Sequence, residues 1–176
     1  IANSYLHSFK MPIIITRGNN VYGPNQYPEK LIPRFISLLQ SNKQVTIQGD
    51  GSAVRAFLHS EDTARAFECI LKKGKVGEIY NIGCDEGMEF SVLEVAQILI
   101  NKIQLTTNYD KWISYIKNRP FNDQRYYISN HKLKSLGWDV KIPFEKGIND
   151  LITFYESCKQ MKEITQLSRN PSEQQI

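Results

Sequence analysis

Residues 11–16 read "MPIIIT", a short apolar and β-branched run beside a proline, which is the pattern of a strand buried on both faces in a parallel sheet. Downstream, Leu31, Ile32, Phe35, Leu38 and Leu39 recur at helical spacing. They predict a helix from Glu29 to about Asn42, with Pro33 in the first turn, where its missing N–H costs little. "VTIQGDGSAVRAFL", residues 45–58, predicts two short strands around a Gly-Asp-Gly turn. Ser60 is positioned as an N-cap with Glu61 and Asp62 in the first turn, for a helix ending at Lys72 or Lys73 before Gly74.

The alternation continues. "EIYNIG", 78–83, is a further strand, and Ser91 with Glu94 forms a capping box for a helix to about Lys102. "WISYIKNRP" contains a strand ending at Pro120, and Ser129 opens a short helix to Leu136, stopped by Gly137. A last helix from about Phe144 to Met161 aligns Ile148, Leu151, Ile152, Tyr155 and Cys158 on one stripe. At the other end Ile1, Tyr5 and Phe9 share a helix face and read as the tail of an element that begins upstream. The closing "EITQLSRNPSEQQI" is polar and predicts a disordered tail. Strands alternating with helices define an α/β protein, here a partial parallel sheet with a small appended lobe.

Composition narrows the function class. The chain has 176 residues, 41% hydrophobic and 23% charged, enough for one domain with a real core. The net charge of +4 is spread among interspersed acids and bases, which points to neither nucleic acid nor a membrane surface. Cys69, Cys84 and Cys158 are odd in number and lack a C-x-x-C, fitting a reducing, cytoplasmic compartment rather than a disulfide framework. His7, His59 and His131 have no metal-site spacing, so no metal is expected.

Candidate chemistry gathers just past the first strand. "RGNNVYGPNQYPEKLIP", 17–33, concentrates prolines, asparagines and glycines where ligands sit in open α/β sheets, beyond the carboxyl end of a strand. Asn19 and Asn20 offer amide groups, Gly23-Pro24 fixes a turn, and Lys30 stands at the start of a helix whose N–H groups attract anions. Arg55 beside "GDG", and Arg119 and Arg125 in "NRPFNDQRYY", are guanidinium forks suited to a diphosphate. No G-x-G-x-x-G occurs, so these residues alone do not form the usual dinucleotide cradle. Tyr155 and Lys159 share a helix face in a Tyr-x-x-x-Lys spacing, but Tyr155 lies on the apolar stripe and reads as packing.

"NNVYGPNQYPEKLIPRFI", "IQGDGSAVRAFLHSEDTARAF", "GEIYNIG" and "NRPFNDQRYYIS…KLKSLGW", in this order, resemble the C-terminal half of nucleotide-sugar 4,6-dehydratases of the dTDP-glucose 4,6-dehydratase type, in the extended short-chain dehydrogenase/reductase family. "N-x-Y-G-P" and "G-x-G-x-x-x-R-x-F" also resemble nucleotide-sugar epimerases and decarboxylases, whereas "YPEKLIP" and "RP-x-x-D-x-RY" are closer to the dehydratases. The resemblance implies a Rossmann-like sheet, of which residues 1–27 would be the end of the NAD-binding domain. Residues 28–162 would be mainly a substrate-binding lobe with returning sheet elements, and 163–176 the tail.

By matching positions, the resemblance implies that Asn20 bonds the substrate and that Val21 meets the cofactor through its backbone. Lys30 and Leu31 would contact the nucleotide, Arg55 and Arg119 would grip the diphosphate, and Asn122 would lie nearby. Gln48 stands where bacterial relatives commonly place a Tyr against the base, Thr46 replaces their Pro, and Asn122 their His, so thymidine and uridine diphosphates both remain open. It further implies NAD as cofactor, a nucleotide-diphosphate sugar as ligand and a homodimer in the full-length form. The family's Gly-rich loop, acidic pair and catalytic Tyr-x-x-x-Lys are expected upstream of Ile1, so the 176 residues alone are expected to be inactive. The expected reaction of the whole is oxidation at C4, loss of water across C5–C6 and return of the hydride to C6. The other readings are a non-catalytic nucleotide-sugar-binding or partner-binding remnant, or a related epimerase or decarboxylase.

Overall fold

The computed structural model describes residues 1–118, 120–121 and 123–169, with side chains to residue 161. Among the described residues the strands fall into three sheets. After helix α1 (Ala2–Phe9), β1 (Ile15–Gly18) runs parallel to β5 (Ile79–Ile82), with Ile15 opposite Ile79. The central sheet is built on β4 (Val54–His59), which pairs parallel with β2 (Asn20–Tyr22) and β8 (Arg125–Tyr126) and antiparallel with β6 (Glu89–Ser91). The third sheet is β3 (Val45–Gln48) parallel to β7 (Ile113–Ile116).

Helices α2 (Leu31–Gln40), α4 (Val92–Gln104) and α6 (Phe144–Arg169) bury their apolar stripes together. Phe35, Ile36, Leu39, Leu99, Ile100, Ile148 and Leu151 meet Val45 and Ile47 of β3 in the larger core. Each such side chain contributes about 1.5–3 kcal/mol of transfer free energy. A second core joins α3 (Ser60–Lys73) and α5 (His131–Lys134) to β4 and β5 through Leu58, Ala66, Ile70, Ile82, Leu133 and Trp138.

Several local expectations hold and several change. The Ser91–Glu94 capping box forms in full: Glu94 N–H donates to Ser91 Oγ at 3.1 Å and Ser91 N–H to Glu94 Oε2 at 2.7 Å. The Gly-Asp-Gly turn forms between two short strands as expected, and those strands, β3 and β4, belong to different sheets. Gly49 and Gly51 adopt φ of +61° and +76° and turn the chain out of the plane of β3. Gly49 N–H then donates to Ile116 O at 2.9 Å, which extends the β3–β7 ladder instead of folding back.

Strand β1 starts at Ile15, and Ile13, Ile14 and Ile15 are half-buried rather than enclosed on both faces, since β1 pairs along one edge with β5. The cap of α3 is His59, one residue before Ser60: its Nδ1 accepts the Glu61 N–H at 3.3 Å. Ser129 stands one residue before the Asn130 cap of α5, although its hydroxyl accepts the His131 N–H at 3.4 Å. Helix α6 continues past Met161 to Arg169. As the sequence pattern implies, the α1 face is uncovered: Tyr5 and Phe9 are 48% and 69% exposed, with ring centroids 5.3 Å apart.

Candidate functional site

A cavity of about 520 Å³ opens where β2 and β4 meet the start of α2 and the outward face of β3. Alternation along β3 sends Val45 and Ile47 into the core and leaves Thr46 and Gln48 lining the cavity. Asn20 and Val21 of β2, Lys30 and Leu31 at the start of α2, Gln48 of β3 and Arg55 of β4, the expected ligand residues among those described, all line it. Arg119 and Asn122 lie outside the described residues.

The density of backbone-fixing residues in 17–33 has a structural cause. Asn19 ties the strand exit in two directions: its Oδ1 accepts the Asn20 N–H at 2.9 Å and its Nδ2 donates to Tyr126 O at 3.2 Å. Gln26 closes the loop by donating from Nε2 to Val21 O at 2.7 Å, while its Oε1 is buried without a partner among the described residues. A Cβ on Gly23 would stand 2.1 Å from Ser60 Oγ, so only glycine lets the loop approach the start of α3 this closely. Asn25 takes a left-handed φ of +61°. What looks like a loop contains strand β2, with Asn20 opposite Phe57 and Tyr22 opposite His59.

Charge in the cavity is one-sided. Among the lining residues Lys30, Arg34 and Arg55 face a single carboxylate, Glu29. Helix α2 begins there with no side-chain cap and no acid in its first turn, so no side chain caps its first N–H groups. Arg55 is half-buried and pre-positioned, since Nη1 donates to Val54 O at 2.8 Å and to Asp123 O at 2.7 Å. Behind the cavity Tyr22 is buried, its hydroxyl 3.4 Å from Phe144 O and its ring edge-on to His59 at 5.3 Å. Burial pushes the Tyr22 phenol up, which keeps it a neutral donor.

Other candidates are engaged elsewhere. Arg125 makes a bidentate pair with Glu89, Nε to Oε1 at 2.8 Å and Nη2 to Oε2 at 2.7 Å, and so links β8 to β6, both of which pair with β4. That pairing holds the Glu89 carboxyl below its ordinary range. Tyr155 packs on the larger core, and burial raises its phenol rather than depressing it as a neighbouring lysine would. Lys159 Nζ points to Gln40 O at 3.4 Å. Among the described residues no group of three or more His, Cys, Asp or Glu could hold a metal ion, and no helix is long and apolar enough to cross a membrane.

Sequence reasoning missed Tyr22, Gln26 and Arg34 as cavity residues. Arg34 had a usable signal, lying one helical turn after Lys30 on the same face. Gln26 had none, because its role depends on a loop path that only the fold sets.

A sheet with parallel strands, a cationic cavity at strand ends and a helix opening into it define an α/β protein with a candidate anion-binding cavity. Residues 1–83 match the NAD dependent epimerase/dehydratase family. The chain is 48% identical over 155 residues to the dTDP-D-glucose 4,6-dehydratase of Bos taurus, across 86% of this chain and 43% of that protein. It is 47% identical over 152 residues to the trifunctional UDP-glucose 4,6-dehydratase/UDP-4-keto-6-deoxy-D-glucose 3,5-epimerase/UDP-4-keto-L-rhamnose-reductase RHM3 of Arabidopsis thaliana, across 86% of this chain and 22% of that protein. The crystal structure of the Bacillus anthracis dTDP-glucose 4,6-dehydratase in complex with NAD superposes with a TM-score of 0.82 at 37% identity, covering 90% of this chain and 49% of that one. The chain thus spans less than half the length of these curated relatives.

Proposed function

We propose that this chain forms the nucleotide-sugar-binding side of an NAD-dependent nucleotide-sugar 4,6-dehydratase, which removes water from a pyrimidine nucleoside diphosphate hexose to leave a 4-keto-6-deoxy sugar. The observation that carries this reading is the shared cavity: Asn20, Lys30, Leu31, Gln48 and Arg55 come from separate elements and line one wall system with a cationic excess. Arg55 and Arg119 hold the diphosphate, Lys30 and Leu31 the nucleotide, and Asn20 a sugar hydroxyl. The amide of Gln48 and the hydroxyl of Thr46 face the base. Relatives named for dTDP-glucose and for UDP-glucose match this chain at 48% and 47% identity, which supports a pyrimidine nucleoside diphosphate sugar as the ligand class.

The residues present fit an edge of NAD and not the whole. Val21 lines the cavity and its carbonyl is fixed by Gln26, a rigid surface for a planar ring, but residues 1–176 contain no G-x-G-x-x-G turn for a dinucleotide diphosphate. NAD, when bound, supplies a reversible hydride acceptor. The work of this chain is to bind and orient the sugar nucleotide and exclude water around it. Residues 1–27 belong with the cofactor domain and 28–162 with the substrate lobe.

Calorimetric titration with dTDP and UDP tests the reading. Binding of at least one, weakened by about 1.5–3 kcal/mol in Arg55→Ala, supports it. Failure of the wild-type protein to bind either nucleotide rejects it.

A further inference from the structure

We propose that Arg34 is an additional binding residue of this site, its guanidinium engaging the phosphate groups of the bound nucleotide beside Lys30 and Arg55. The inference rests on the functional reading above and assigns a residue that the sequence resemblance does not. Arg34 lines the same cavity as Lys30 and Arg55, one helical turn after Lys30. Neither Lys30 nor Arg34 has a side-chain hydrogen bond or ion pair among the described residues. Several other surface cations are paired, as in Lys72–Glu68, Lys132–Glu78 and Lys146–Asp150.

Local electrostatics oppose this arrangement. Two cations four residues apart on a helix repel each other, and cations near a helix N-terminus oppose the macrodipole. The other long helices that begin in the core, α3, α4 and α6, each carry acid in the first turn, whereas α2 carries none. A chain that concentrates positive charge against both rules, inside a cavity with one carboxylate, is compensated when a multiply charged anion occupies the cavity. The planar fork of arginine suits phosphate oxygens in a way that a solvated surface charge does not require.

The test pairs affinity with stability in Arg34→Gln and Arg34→Lys, using dTDP and UDP as probes at two salt concentrations. Arg34→Gln is expected to bind roughly tenfold more weakly, with a shallower salt dependence. Its free-state melting temperature should stay unchanged or rise, because the helix loses a like-charge pair. Arg34→Lys is expected to recover part of the affinity. If the wild type binds and Arg55→Ala weakens binding while Arg34→Gln does not, the Arg34 assignment is wrong and the functional reading stands. If Arg34→Gln loses affinity and melting temperature together, its role is structural and the assignment is also overturned. If the wild type binds neither nucleotide, both fall.

Discussion

Asp62 Oδ2 accepts the backbone N–H of Ile142 at 3.0 Å, joining the first turn of α3 to a segment 80 residues later in the chain. The other oxygen accepts the Lys141 N–H at 3.0 Å and pairs with Arg65, and Trp138 Nε1 donates to the Asp62 carbonyl at 3.1 Å. Asp62 is fully buried, so its charge is tolerated only because every oxygen is used. Asp62→Ala is expected to destabilise the protein by about 2–4 kcal/mol in urea unfolding, since it leaves buried donors unpaired, and Asp62→Asn by less.

His59 predicts an acid-side weakness. Its Nδ1 caps α3 as an acceptor and therefore must be unprotonated, and burial lowers its pKa. Glu61 and Asp150 pull in the opposite direction, while Lys146 and Arg65 reinforce the lowering. A folded pKa below the unfolded value of about 6.5 means full stability above that pH and a loss as pH falls from there through the folded value. The denaturation midpoint should drop between pH 8 and pH 5, and the drop should shrink in His59→Asn, which keeps a capping acceptor that does not titrate.

Gly147 lies against Tyr22. Alanine in a helix interior usually stabilises relative to glycine, but a Cβ here would stand 2.2 Å from the Tyr22 hydroxyl. Gly147→Ala is expected to cost about 1–3 kcal/mol and to weaken dTDP or UDP binding, because Tyr22 lines the cavity. Adding Tyr22→Phe should recover part of both losses, and a double variant no better than the single one would contradict the clash.

Tyr155→Phe should leave ligand binding and, in the complete enzyme, turnover nearly unchanged, because the ring's packing is retained. A fall of 100-fold or more, the scale of a lost general acid or base, would show that the Tyr155–Lys159 spacing is functional.

Much of this fold was legible where one residue's environment follows from its near neighbours. The α2 and α6 stripes, the Ser91–Glu94 box and strand β5 fall at or within a few residues of the positions that periodicity and capping predict. What failed depended on distant partners. The Gly-Asp-Gly turn falls between two short strands as its sequence predicts, but that these strands join different sheets depends on Ile116 taking the Gly49 N–H. Strand β2 is hidden among turn formers because its ladder partner, Phe57–His59, is supplied by β4. The cavity residues Asn20, Lys30, Leu31, Gln48 and Arg55 were indicated by motif resemblance. Gln26 depended on a loop path, and Arg34 required attention to a charge misplaced for a helix.

Strand β4 carries a consequence for how this molecule would breathe. Its first half is bonded to β6 and β8, its second half to β2, and Arg55 projects from it to the cavity. Any opening that separated the wall bearing Asn20 and Val21 from the one anchored by Glu89 and Arg125 would have to break this single ladder. Motion that admits a ligand is therefore confined to segments hung from β4, such as 23–30, and amide deuterium uptake should be slowest along 54–59 while the bordering turns exchange first.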